Sequence, residues 1–203
     1  PDDNIDGIAG EAWDGKVATG YAGGSGTQTD PYIIETARQL AYLIKHDVID
    51  AVGSTYGKYY KLAADIYLNN IQDVDWRSNK PNSWYETASN QRFGGNFNGD
   101  GYAIYGLYYN GTKYAGLFPY IEMWFNDVTI ENIVVSDAYL NTSADSIGTF
   151  AATLYGGNGH ELAFKNCFVD DNVYVASTNT SASCIGGIIG YLKNVDGKST
   201  SLN

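Results

Sequence analysis

The side chains of this chain with a claim to chemistry are aromatic and acidic. Trp76, Trp84 and Tyr85 fall in a polar, irregular stretch over 69–92 that also holds Pro81 and several Asn and Ser. A stretch this long without a pattern is uncommon inside a compact domain and is often functional. Aromatic rings there could form a platform for the apolar faces of sugar rings, since Tyr and Trp are enriched where surfaces bind. Trp76, Trp84 and Tyr85 are therefore the candidate ligand-binding residues, with packing into the core as the competing role. Among the acids, Asp137 and Asp171 are 34 residues apart, the spacing of an internal repeat described below. Stacked one strand above the other at roughly 4.8 Å of backbone spacing, they could supply the two carboxylates that glycoside hydrolysis needs. Two solvated turn carboxylates are the plainer reading. Asp170 and Asp171 are adjacent, so on a strand they point to opposite faces.

Other chemistries find less support. Asn96-x-Asn98-x-Asp100-Gly101 opens like a calcium loop, yet its twelfth position, where a bidentate carboxylate belongs, is Leu107. His46 and His160 are the only histidines, and no Cys-x-x-Cys or His-x-x-x-His spacing suggests a transition metal. No Gly-x-Ser-x-Gly elbow supports a Ser-His-Asp triad. Gly23-Gly24-Ser25-Gly26 lacks the Lys of a phosphate loop. No cofactor and no metal are expected. Cys167 and Cys184 are too few for a disulfide framework; they read either as small buried hydrophobes or as one pair.

The elements that would hold these residues can be read along the chain. Residues 1–30 are rich in Asp and Gly without periodicity, an extended N-terminal segment. Over 31–57 the clearest helix starts at Thr36-Ala37-Arg38-Gln39, a capping box, with Ala37, Leu40, Ala41 and Ile44 at helical spacing to about residue 46. From 58 to 203 the pattern is β. Tyr60, Leu62, Ala64, Ile66 and Leu68 alternate with Tyr59, Lys61, Ala63, Asp65 and Tyr67, which predicts one nine-residue strand.

Repeats decide the architecture. Ile130-Glu131-Asn132-Ile133 lines up with Phe164-Lys165-Asn166-Cys167 at an offset of 34, and Gly-rich apolar blocks recur around Gly116, Gly148 and Gly187. Self-similarity at roughly 20–50 residues marks a solenoid, and a unit of strands without helices favours a parallel β-helix. Asn readily adopts the left-handed conformation, so Asn132 and Asn166 should be corners with Ile130, Ile133, Phe164 and Cys167 inside. A β-sandwich built from hairpins, encouraged by Asn110-Gly111, is the competitor.

Composition sets the outer limits. The chain has 203 residues, 44% hydrophobic and 17% charged, with 18 Tyr, 24 Gly and a formal net charge of −11. Such an acidic surface repels nucleic-acid phosphates and anionic bilayers, and no apolar run approaches the roughly 18 residues that span a membrane. No nucleic-acid partner and no membrane insertion of this segment are expected.

With those residues in view, the ordered set Trp13-Asp14-Gly15, Ala22-Gly23-Gly24-Ser25-Gly26-Thr27, Pro31-Tyr32-Ile33-Ile34, Tyr60-Lys61-Leu62-Ala63-Ala64-Asp65-Ile66-Tyr67-Leu68 and Gly95-Asn96-Phe97-Asn98-Gly99-Asp100-Gly101-Tyr102 resembles a family of bacterial surface proteins. The Gly-rich blocks resemble the GLUG motif, found also in the N-terminal region of immunoglobulin A1 proteases and in large adhesins. Pro119 and Thr149-Phe150-Ala151 depart from that motif. The resemblance implies an all-β fold, a right-handed parallel β-helix of pectin-lyase-like shape, with the short N-terminal α-helix capping one end. It also implies an extracellular or cell-surface bacterial protein of which this chain is a fragment with further modules. A Trp is common in the segment holding Trp84, which favours a packing role for it. The function expected is non-catalytic, that of an adhesin-like or stalk module whose partner is a glycan or a host or cell-surface protein. The alternatives are a polysaccharide lyase or glycosidase acting in a groove of the β-helix, and a purely structural spacer.

Overall fold

The computed structural model describes residues 6–157, 159–181, 184–194 and 201–202. Every strand pairing is parallel. The chain winds as a β-solenoid in which strands one coil apart stack on each other. One long sheet runs in the order β1 (Tyr32–Ile34), β2 (Tyr59–Leu62), β4 (Asn96–Asn98), β8 (Val128–Ser136), β12 (Leu162–Val169), β16 (Ser201–Leu202), with β3 (Ile66–Tyr67) and β5 (Ala103–Tyr105) joining beside β8. The remaining walls are β6 (Tyr108–Gly111), β9 (Tyr139–Thr142) and β13 (Tyr174–Ser177); β7 (Tyr120–Glu122), β11 (Ala151–Gly156) and β15 (Ile189–Asn194); and the pair β10 (Ser146–Gly148) and β14 (Cys184–Gly186). The β-helix expected from the repeats is the observed fold, and the sandwich is excluded.

The Asn corners explain how both sides of a bend reach the core. Along β8, Val128 and Ile130 are buried at even positions and Ile133 and Val135 at odd ones. The phase changes at Asn132, which has φ 55°; Asn166, one coil on, has φ 50°. A left-handed residue turns the strand so that Ile130 and Ile133 both point inward. Phe164 is buried in the same way, while Cys167 is half-buried.

Two expectations need correction. The single strand over residues 59–68 is two strands, β2 and β3, separated by a bend at Ala63–Asp65. That bend is the same corner two coils before Asn132, with Asp65 Oδ1 accepting from Ala103 N at 2.9 Å; Tyr60, Leu62, Ile66 and Leu68 are buried and Ala64 is not. The helix is also longer than expected: α1 (Ala37–Tyr42) continues as a π-helix over Leu43–Asp50. Thr36 Oγ1 accepts from Gln39 N as the capping box requires, whereas Gln39 Oε1 reaches Glu35 N rather than the Thr36 amide. The wider turn brings the Asp47 side chain to the core edge, where it accepts hydrogen bonds from Tyr21 (2.5 Å) and Tyr60 (3.2 Å). His46 therefore lies inside the helical segment, stacked on Tyr42.

Candidate functional site

The aromatic candidates read from the sequence do not make an exposed platform. Trp84 is 3% exposed; its ring packs edge-on against Trp13 and its Nε1 donates to Leu117 O at 3.0 Å. Tyr85 is half-buried in contact with Trp13 and Trp84, and Trp76 is 7% exposed beneath Arg77 and against Tyr108. Burial in the seam between the 69–92 segment and the coils leaves Trp76 and Trp84 no ring face broad enough for a sugar. These residues fasten the long segment to the solenoid.

The acidic pair is also arranged differently. The register offset of 34 is kept through Val169 and Val135, yet Ser136 Oγ lies within hydrogen-bond reach of Asp137 Oδ2 (2.9 Å) and of Asp170 Oδ2, so the side chain linked to Asp137 through that hydroxyl is Asp170. Asp171 is exposed and, among the described residues, shares no hydrogen bond with Asp137. Asn98, in the calcium-like stretch, uses its Oδ1 on Asp100 N and on the Asn132 side chain, and Leu107 is in the core. Among the described residues no group of three or more His, Cys, Asp or Glu is placed to hold a metal. His160 faces Asp127 at 3.1 Å. Cys167 and Cys184 are both free thiols, and burial pushes the Cys167 thiol up to about 11.

The solenoid does assemble a site that no contiguous motif encodes. Two adjoining hollows of about 610 and 370 Å³ lie against the β7–β11–β15 wall and share Tyr114 and Tyr155. Tyr120, only 3% exposed, backs the first as buried wall, while the exposed Tyr191 lines the second. Register explains the convergence: Thr153 pairs with Tyr120 on one side and Tyr191 on the other, and Tyr155 pairs with Glu122. Tyr120 meets Tyr114 edge-on at 5.1 Å and Tyr155 at 5.9 Å, so the rings brace one another. Glu86 and Lys113 edge the first hollow; Asp145, Ser146 and Cys184 edge the second.

Behind the rings stands a partly buried ion pair. Glu122 receives Arg92 Nη1 and the Tyr56 hydroxyl on its two oxygens. The Arg92 guanidinium lies 4.0 Å from the centre of the Tyr155 ring, a cation–π contact that fixes the ring's tilt. Desolvation, reinforced by neighbouring phenols, raises the Tyr120 pKa well above the usual range; Tyr114 is raised by desolvation and then by Asp145. Both hydroxyls therefore remain donors at neutral pH. Sequence reasoning missed this groove because Tyr114, Tyr120, Tyr155 and Tyr191 are spread over 78 positions. The usable signal was the recurrence of the Gly-rich blocks, after which the wall strands set Tyr120, Thr153 and Tyr191 in register at unequal spacings.

Comparison with known proteins adds the fold's relatives. No family model matches the chain. A provisionally named Gly-rich membrane protein of Evansella cellulosilytica is 30% identical over 141 residues, 67% of this chain and 15% of that protein. Halomucin of Haloquadratum walsbyi is 26% identical over 182 residues, 87% of this chain and 2% of its own length. The chain thus spans only a small part of the curated relatives it matches. Among solved structures, a provisionally assigned immunoglobulin A1 protease from Bacteroides ovatus superposes with a TM-score of 0.61 at 20% identity, over 90% of this chain and 48% of that one. That likeness shows a shared fold.

Proposed function

We propose that this chain is a non-catalytic, adhesin-like module of a bacterial surface protein and that it holds glycan in the tyrosine groove on the β7–β11–β15 wall. The carrying observation is the groove: Tyr114, Tyr155 and Tyr191 line two adjoining hollows, with buried Tyr120 behind the first, and the Tyr155 ring is braced by Arg92, which Glu122 holds. Tyrosines offer a flat apolar surface together with a hydroxyl, the combination that sugars match with their C–H faces and hydroxyls. The GLUG-like Gly-rich blocks and the names of the two relatives, a Gly-rich membrane protein and a halomucin, support the surface setting.

The test is binding to a broad glycan and polysaccharide array, followed by titration of each hit against Tyr155→Ala and Tyr114→Ala. Saturable binding that weakens at least about tenfold in both variants is expected, a loss within the usual range for an aromatic contact. Absence of binding to any saccharide refutes the glycan assignment. Release of oligosaccharide that stops on Asp137→Asn or Asp170→Asn refutes the non-catalytic one.

A further inference from the structure

We infer that the tyrosine groove selects uncharged oligosaccharides over acidic ones, an inference that rests on the glycan reading above. The charges around the groove decide it. Lys113 lines the first hollow, and Arg92, which stands against Tyr155, is held by the protein at three points. Its Nη1 is on the Glu122 carboxylate, its Nε donates to Ser89 O at 2.5 Å, and its face covers Tyr155. A uronate or sulfate that recruited its Nη1 or Nε would break the partly buried Glu122 pair or the Ser89 bond and tilt Tyr155. Lys113 is exposed at the rim.

Against the Lys113 ammonium stand, among the side chains described around the groove, two exposed carboxylates, one in each hollow. Glu86 accepts the Tyr109 hydroxyl at 3.3 Å and Asp145 accepts the Asn179 amide at 2.7 Å. Neutral donors leave both negative charges uncancelled. The chain as a whole carries −11, so an anionic polymer meets a repulsive field before it reaches the tyrosines. An uncharged sugar meets no such field, and phenol hydroxyls are there to meet its own.

The experiment is calorimetric titration of the intact chain with neutral cello- and manno-oligosaccharides and with oligogalacturonate and heparin oligosaccharides of matched length. Titrations are run at about 0.05 M and about 0.5 M salt, where screening differs several-fold. Neutral ligands are expected to bind at least about tenfold tighter at low salt, with an affinity nearly independent of salt, while the acidic ligands gain as salt rises. The double variant Glu86→Gln/Asp145→Asn, altered only at exposed side chains, should shrink the neutral-to-acidic ratio about fivefold or more at low salt. Acidic ligands binding as tightly as neutral ones, or an unchanged ratio in the double variant, overturn the inference and leave the glycan reading standing. If neither class binds, the glycan reading itself fails and the selectivity falls with it.

Discussion

Asn166 donates its side-chain amide to Asn132 Oδ1 at 3.0 Å across one coil of the solenoid, and both residues have positive φ. Asn132 in turn donates to Asn98 Oδ1 at 3.2 Å, so the corner is a ladder of three amides. The same residue type solves two problems at once: it tolerates the left-handed turn, and its amide links that turn to the coils above and below.

That dual role separates two variants. Asn132→Ala loses both amide bonds and puts an ordinary side chain at φ 55°, costing roughly 2–3 kcal/mol from about 1 kcal/mol per hydrogen bond plus left-handed strain. Asn132→Gly keeps the backbone comfortable and should recover part of the loss. Urea denaturation of the three proteins checks the order: wild type most stable, then Gly, then Ala.

These corners were legible because the ladder leaves a local trace, an apolar-x-Asn-apolar block repeated every 34 residues. The helix start was legible for the same reason, since Thr36 and Gln39 are three residues apart. The break at Ala63–Asp65 left no such trace: no Asn marks it, and strict alternation from Tyr59 to Leu68 continues straight through the bend. Trp84, for which the family resemblance alone favoured packing, is held by tertiary contacts with Trp13 and Leu117 that its polar sequence neighbours do not reveal. The third Gly-rich block was placed one residue late: Gly186, not Gly187, pairs with Gly148. The groove was the least legible feature, since its tyrosines become neighbours only once coil register is fixed.

Alkali should unfold this protein ahead of any general charge effect. Desolvation, chiefly, raises the pKa of Tyr21, Tyr56, Tyr60 and Tyr120 far above the usual value near 10, and nearby acids such as Asp47 and Glu122 add to it for the first three. These groups are acids with raised folded-state pKa values, so above pH about 10 the unfolded chain releases phenolic protons that the folded chain retains. Stability is therefore complete below pH 10 and falls as pH rises beyond it. Urea midpoints measured from pH 8 to pH 11 should decline only in the upper part of that range. Absorbance of ionised tyrosine should jump at the unfolding transition; an unchanged midpoint at pH 11 would contradict the burial of these hydroxyls.

The Cys167 thiol should be slow to react. Burial holds the Cys167 thiol up at about 11, and its Sγ donates to Ile130 O at 3.3 Å. Only the thiolate attacks an alkylating reagent, so Cys167 should resist iodoacetamide at pH 8 until denaturant is added. Thiol titration of the denatured, unreduced protein should return two free groups. Mass spectrometry of native protein labelled at pH 8 checks the first point, and fast labelling at Cys167 would refute it.

Glycines give a sharper contrast, because two in neighbouring positions of the Gly-rich blocks face opposite fates. A Cβ on Gly148 would stand 2.5 Å from Ala151 O and 2.6 Å from Gly190 N. Both obstacles are backbone of adjoining strands, which cannot swing aside as a side chain can. A Cβ on Gly187 would meet nothing within 4 Å. Gly148→Ala must therefore pry coils apart, at a cost of about 3 kcal/mol or more on the scale of severe overpacking, whereas Gly187→Ala should change stability by less than about 0.5 kcal/mol. Thermal unfolding of the two variants reads the difference directly. A Gly148→Ala protein as stable as wild type would mean that the blocks do not pack backbone on backbone and that their glycines serve another purpose.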